Sequence, residues 1–394
     1  MNDKDSVYIA AGARTPMGGL QGSLADLTAV DLGAFAIKGA IARAGLSGDD
    51  IEETIMGCVL SSGLRQAPAR QAAMDAGIPV SSGATTINKL CGSGMKAAML
   101  AHDLIKAGTN DVMVAGGMES MTNSPYLLPK ARSGMRMGHG EIQDSMFTDG
   151  LEDAKSGQSM GSFAQEVADQ YQITREDMDA FAIQSLKRAQ AAIDSGALKD
   201  ETAPVTISTR KGEVTVTDDE QPHKANIEKI PTLRPAFKKD GSVTAANSSS
   251  ISDGASALVL ASGKVVEEKN LKPMARIVAH ATHSREPAEF TLAPIGAIEK
   301  VLVSTGWDKD DVDLFEINEA FAMVTMLATR ELGLDAEKVN IHGGACAQGH
   351  PIGSSGSRII VSLMHALQQQ GKKRGIAALC IGGGEANAVA IEMV

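Results

Sequence analysis

Between Leu27 and Gly45 the apolar residues of LTAVDLGAFAIKGAIARAG recur every three or four positions, the spacing of a helix with one buried face. Other stretches are continuously apolar. VYIAA from Val7, TIMGCVL from Thr54 and DVMVAGG from Asp111 read as strands covered on both sides. Ala67-Pro68 opens a further helix, since proline is tolerated in a first turn. The alternation predicts a βαβαβαβ order and, from it, a mostly parallel sheet with helices on its faces.

The same texture returns near the C-terminus. AIKGAIARAGLSGDDI from Ala36 and AIEKVLVSTGWDKDDV from Ala297 align without a gap at Ala36/Ala297, Ile37/Ile298, Gly45/Gly306, Asp49/Asp310 and Asp50/Asp311. Each reads as a helix ended by glycine, then a turn into a strand. GSGMKAA from Gly92 faces GSSGSRII from Gly353, and both copies run on into strands with glycine pairs, VMVAGGME and ALCIGGGE. An internally duplicated α/β protein follows. Between the copies, from about Ser120 to Asn247, the texture changes. A Gly- and Met-rich loop (ARSGMRMGHGE) precedes helical REDMDAFAIQSLKRAQAAI and a hairpin, VTISTRKGEVTV, turning at Lys211-Gly212. This is an insertion on the first half, and ASALVLAS from Ala255 is that half's last strand.

Composition narrows the class. The chain has 394 residues, is 43% hydrophobic and 3% aromatic, and holds 41 glycines, which favours α/β architecture over an aromatic-rich sandwich. A net charge of −11 argues against nucleic acid or an anionic membrane as partner. No apolar run approaches the roughly 18 residues of a membrane span. The polar, acidic start MNDKDSVYIA is unlike a signal peptide. With no CxxC pair, the four cysteines (Cys58, Cys91, Cys346, Cys380) read as reduced thiols of a cytoplasmic protein.

Four stretches carry candidate chemistry. Cys91 stands just before the helix GSGMKAAMLAHDLIKAG, where the helix dipole and free N–H groups would favour a thiolate and Gly92 and Gly94 would admit a substrate. A buried packing cysteine is the competing reading, and this stretch alone does not separate them. In NIHGGACAQGHPIGSSGSR, His342, Cys346 and His350 are spaced four apart, but Gly343, Gly344 and Gly349 oppose the helix a metal site would need, so no metal is expected. His350, held between Gly349 and Pro351, is suited to act as a base, or is an ordinary turn residue. Cys380 ends a strand before three glycines, whose N–H groups form either an anion-binding nest or a nucleotide loop; no GxxxxGK or GxGxxG sequence supports the latter. Asn318, in EINEAFAMVT, is an amide donor or a helix cap.

Taken together and in this order, these stretches resemble the thiolase family. The family's CxSG-type helix start, NEAFA block, GHPxGxSG block and terminal CxGGG stand here at Cys91, Asn318 to Ala322, His350 to Gly356 and Cys380 to Gly384, with GGMES from Gly116 and NSSSISDGASA from Asn247 as further blocks. The resemblance implies a thiolase fold: two duplicated βαβαβαββ halves packed as α-β-α-β-α layers, with an inserted loop domain that binds coenzyme A. On that frame residues 1–119 and 248–272 form the N-terminal half, 120–247 the loop domain and 273–394 the C-terminal half.

It further implies a reversible Claisen condensation of two acetyl-CoA to acetoacetyl-CoA and coenzyme A, through an acyl group on a cysteine and without a cofactor. Cys91 would carry the acyl group. His350 would take its proton, and Cys380 would move the α-proton. Asn318 would hold a water that forms one oxyanion hole with His350, while the N–H groups of Cys91 and Gly382 form the other. Ser249 and Phe237 would touch the pantetheine, and Met160, Phe290 and Phe321 would line the acyl pocket. A methionine at position 160 resembles the short-chain enzymes. A longer-chain 3-ketoacyl-CoA thiolase is the alternative, and an inactive CoA-binding homologue a remote one. The family assembles as homodimers or homotetramers. His342, Gln348, Ser159 and Glu385 depart from the usual pattern and bear on substrate length, not on reaction type.

Overall fold

The computed structural model describes residues 6–394; the acidic start, Met1 to Asp5, lies outside them. The first half runs β1 (Val7–Arg14), α1 (Ala29–Ala44), β2 (Glu53–Gly57), α2 (Pro68–Asp75), β3 (Gly83–Ile87), α3 (Ser93–Lys106) and β4 (Val112–Ser120). The inserted segment contains α4 (Met160–Gln170), α5 (Arg175–Asp194) and the hairpin Val205–Thr209/Gly212–Val216. The chain then returns as β5 (Ser252–Ser262). The second half runs β6 (Ala275–Ser284), α6 (Ala293–Thr305), β7 (Leu314–Ile317), α7 (Ala322–Leu332), α8 (Ile352–Gln370), β8 (Arg374–Ile381) and β9 (Glu385–Met393).

The duplication shows in the details. Helices α1 and α6 both end at a glycine in the left-handed region, Gly45 at φ 67° and Gly306 at φ 70°, which only glycine adopts cheaply. Both are followed by a single 3-10 turn with a capping box, Ser47/Asp50 and Asp308/Asp311. Strand order repeats as well: β3-β2-β4-β5-β1 in the first half, β7-β8-β9-β6 in the second. A lone parallel bridge, Phe315 to Val339, stands where β3 would have its counterpart. The halves join edge to edge, Tyr8 opposite Arg276 and Ile9 opposite Ala275.

The expectation of a mostly parallel sheet is corrected. Only β2/β3, β2/β4 and β7/β8 run parallel, and every other pairing in the large sheet is antiparallel. Strand β9 follows β8 through Gly382–Gly384, too short for a parallel crossover, so the chain reverses.

Five layers result. Helices α1 and α2 cover the outer face of the first half-sheet and α6 that of the second. Helices α3 and α8 fill the middle with Met95, Met99, Ile359, Leu363 and Met364. Their backbones touch. A Cβ on Gly94 would stand 2.8 Å from Ser357 N, and one on Gly356 would run into Met95 N. No helix among the described residues is long and apolar enough to cross a membrane.

Candidate functional site

Cys91 sits in the sharp connection between β3 and α3, after Leu90 at φ 48° and before Gly92, which caps the helix. Its own N–H and that of Gly382 hydrogen-bond toward the half-buried sulfur. Two readings from the sequence are corrected here. Burial among Val59, Leu60, Met121 and Ile352 pushes the thiol up to about 11, outweighing those two N–H bonds, with the Glu119 charge adding to the rise. Cys91 therefore rests as a thiol and is not held as a thiolate by the helix. The glycines beside it do not make room for a substrate either. A Cβ on Gly92 would run into Ile381 Cδ1, and Gly94 is where α3 crosses α8.

His350 is positioned by the turn before α8. Gly349, at φ 109°, lies against Ser252, where a Cβ would come 3.0 Å from the serine Cβ. The His350 N–H donates to Ser250 O and to Ser252 Oγ, both at 3.2 Å. Nδ1 lies 2.5 Å from Ser355 Oγ, while Nε2 is buried without a partner. Burial, helped by the Arg358 charge, lowers the ring to about 3. The imidazole is neutral, with one nitrogen free to take a proton.

Asn318 follows β7 with the same incompleteness. Its Oδ1 accepts from Arg358 Nη2 at 3.2 Å, and its Nδ2 is buried and bare. Arg358 also bonds Glu316 Oε1 at 3.2 Å, so one guanidinium on α8 orients Asn318 and bears on His350. A buried polar atom without a partner is costly, and such atoms mark where a ligand or water completes the site.

Cys380, at the end of β8, is fully buried; burial raises its thiol well above the usual range and nearby Cys91 raises it further. Gly383 and Gly384 take φ 84° and 91°, which lets the chain turn toward β9 with Gly382 facing Leu90. A Cβ on Gly382 would be 3.0 Å from Leu90 Cδ1 and 3.5 Å from Met160 Sδ. Phe290 and Phe321 pack with Cys380 and Met160 in one cluster, their rings 6.3 Å apart. Phe237, 38% exposed, lies 6.3 Å from Phe321 and covers Gly161. Half-buried Ser249 is held by its N–H to Ala320 O at 2.9 Å.

The structure thus brings Cys91, Gly382 and Cys380 together, with Met160, Phe290, Phe321 and Phe237 around Cys380 and Gly382, and it links His350 to Asn318 through Arg358. Cys346 and His350 do not face one another as ligands. Cys346 Sγ turns to Glu319 O at 3.6 Å, and His350 Nδ1 to Ser355. A cavity of about 390 Å³ between α5 and α7 lies elsewhere, lined by Phe181, Arg188 and Met326 among others.

Several positioning residues escaped the sequence reading. Besides Arg358 and Ser355, buried Glu119 accepts from the N–H groups of Val59 at 3.1 Å, Leu60 at 3.0 Å and Gly353 at 2.8 Å, tying the start of α8 to the first half. Glu319 binds Asn340 Nδ2 at 2.9 Å, Ser185 Oγ at 2.7 Å and Cys346 N at 3.1 Å. The available signal was a charged residue inside an otherwise apolar or glycine-rich block, as in GGMES and NEAFA. Lys89 forms an ion pair with Glu385, joining the segments that carry Cys91 and Gly382.

The low His350 value has a measurable consequence. Unfolded, the ring takes a proton below about 6.5; folded, it does not until about 3, so its contribution to stability falls as pH drops through that window. From pH 7 to pH 5 the wild type is expected to lose about 2 kcal/mol more stability than His350→Asn, measured by urea unfolding at both values. Equal losses would mean that the folded ring titrates normally.

Comparison with known proteins follows the same lines. Residues 7–264 match the family described as thiolase, N-terminal domain, and residues 271–393 thiolase, C-terminal domain. The acetyl-CoA acetyltransferase of Schizosaccharomyces pombe is 47% identical over 390 residues, 98% of this chain and 99% of that protein. That of Saccharomyces cerevisiae is 48% identical over 395 residues, 99% of each. Among solved structures, the Acat5 thiolase of Ascaris suum in complex with coenzyme A superimposes with a TM-score of 0.94 at 44% identity, covering 99% of this chain and 100% of that one. The Bacillus anthracis acetyl-CoA acetyltransferase gives 0.96 at 42%, covering 99% of each.

Proposed function

The chain belongs to the thiolase family, and from that premise we infer that it is an acyltransferase condensing two acetyl-CoA to acetoacetyl-CoA and coenzyme A, or cleaving the product in reverse. The observation that carries the reading is the meeting of two backbone N–H groups, Cys91 and Gly382, on one thiol with a second thiol, Cys380, beside it.

Both thiols rest protonated, so the reaction turns on where protons go. His350 Nε2 takes the Cys91 proton as the sulfur attacks acetyl-CoA. The N–H groups of Cys91 and Gly382 receive the oxyanion, each such donor being worth roughly 3–4 kcal/mol in a transition state. Coenzyme A departs with the Cys380 proton and leaves Cys380 a thiolate. That thiolate removes the α-proton of the second acetyl-CoA, whose enolate oxygen is met by protonated His350 and a water on Asn318 Nδ2. The carbanion attacks the acetyl group on Cys91; the expelled sulfur regains its proton from His350, and Cys380 is again a thiol. Protons balance over the cycle.

Met160 against Gly382, closed in by Phe290 and Phe321, favours a short acyl chain. Thiolytic cleavage of acetoacetyl-CoA is expected to exceed that of C8–C16 3-ketoacyl-CoAs by at least about tenfold in kcat/KM, since each ill-fitting methylene costs on the order of 1 kcal/mol or more. Faster turnover of the long chains would instead assign a 3-ketoacyl-CoA thiolase of fatty-acid oxidation. Ser249 and Phe237 are the pantetheine contacts in this reading. The protein works as a homodimer or homotetramer, a reading supported by β3, which ends the sheet beside Cys91 and leaves one side open to a second copy. Its free cysteines suit the cytoplasm.

A further inference from the structure

The far end of α3 meets strand β6 at a group of side chains for which the reaction has no use. His102 Nδ1 lies 3.0 Å from Asp103 Oδ1, and His280 Nε2 lies 2.9 Å from that same oxygen. The two imidazoles meet edge to face, their centroids 5.0 Å apart. One ligand atom from each of the three residues falls within 4.8 Å of the others. His102 and His280 are 15% and 18% exposed and Asp103 is 54% exposed, so the nitrogens are shielded while the carboxylate leaves a way in from solvent.

We propose that His102, Asp103 and His280 form a binding site for a divalent transition-metal ion, Zn²⁺ by the chemistry of its ligands. Two imidazoles and a carboxylate suit zinc, copper or nickel better than magnesium or calcium, which prefer oxygen. Tetrahedral zinc, with bonds of about 2.0–2.1 Å, holds its ligands about 3.3 Å apart. Two of the three pairs already stand within a few tenths of an ångström of that spacing. Ligation needs neutral rings and an ionised carboxyl. To bind the ion, the protons between the rings and Asp103 move to the far ring nitrogens. This is a change of tautomer with no net release.

Helix α3 belongs to the first half and β6 to the second, so a bound ion would tie the halves together. His102 lies about 14 Å along the helix axis from its Ser93 end, at 1.5 Å per residue, which separates the site from the sulfur chemistry. The proposal therefore stands or falls independently of the thiolase reading. Three protein ligands leave a fourth position for water.

The test is titration of the chelator-treated, dialysed protein with Co²⁺, read by its visible ligand-field bands, and competition by Zn²⁺. One ion per chain is expected to bind, with Kd at or below about 10 µM, and His102→Ala and His280→Ala are each expected to weaken binding at least about tenfold. Zn²⁺ should raise the melting temperature of the wild type and of neither variant. A far-UV circular dichroism spectrum and a metal-free melting temperature matching those of the wild type report that the variants fold. If either fails to fold, Asp103→Asn, at an exposed position, carries the same comparison. No saturable binding by the wild type, or undiminished binding by the folded variants, would overturn the proposal.

Discussion

Cys91→Ala is expected to lose condensation and cleavage by at least about 10³-fold and to take up no acetyl group from acetyl-CoA. With its thiol held up to about 11, Cys91 is ionised to roughly one part in 10⁴ at pH 7, so its reactivity depends on proton transfer at the moment of attack. The neutral, partner-free Nε2 of His350 is suited to that transfer. No other thiol is placed to substitute. Cys58 is buried 3.7 Å from Glu119 Oε1, Cys346 faces Glu319 O, and Cys380 is met by its own N–H alone, without the pair of N–H groups that converge on Cys91. Intact-mass spectrometry after mixing with acetyl-CoA reads the outcome directly. The wild type gains one acetyl group per chain, and an equal gain by Cys91→Ala would place the nucleophile elsewhere.

Cys380→Ala separates the two half-reactions. Acyl transfer to Cys91 continues, because coenzyme A leaves as a thiolate without much help. Removal of the α-proton loses its base, and condensation falls by about 10²–10⁴-fold. The variant should accumulate acetyl-enzyme and no longer wash deuterium from D₂O into acetyl-CoA. The structure explains the expected size of the effect: Cys380 sits against Cys91 in an apolar cluster with Phe290 and Phe321, where water is a poor replacement for a fixed base. Full condensation activity in Cys380→Ala would remove the residue from the mechanism.

Much of the frame was legible because it is written locally. The helix over Ala29–Ala44 is announced by its apolar spacing and the glycine that ends it. The matched ends at Gly45 and Gly306 exposed the duplication, and Lys211-Gly212 marked the hairpin. Strand direction was less legible. Alternating helices suggest parallel neighbours, but β5 returns after a long insertion and β9 after three glycines, and neither path leaves a trace in a strand's own residues.

The candidate site divides in the same way. The residue types at Cys91, Asn318, His350 and Cys380 are statements of the sequence, and together with their motifs they determined the family and the reaction. Their physical state was decided by the fold. Whether a thiol is lowered by a helix end or raised by burial depends on side chains from the loop after β2, the inserted segment and α8, none of them neighbours in the chain. Gly92 and Gly94 look like access to a sulfur until α8 and Ile381 are seen packed upon them. Arg358, on α8, is a charged residue in a helix until it is found holding Asn318 beside His350. Contacts such as Asn387 Nδ2 to Gly92 O, 3.5 Å apart across 295 residues of chain, belong to tertiary structure alone. Chemical identity is carried by single residues and turn signals by a few neighbours, so the sequence holds both; burial and electrostatic environment are sums over distant segments, and only the folded chain brings those segments together.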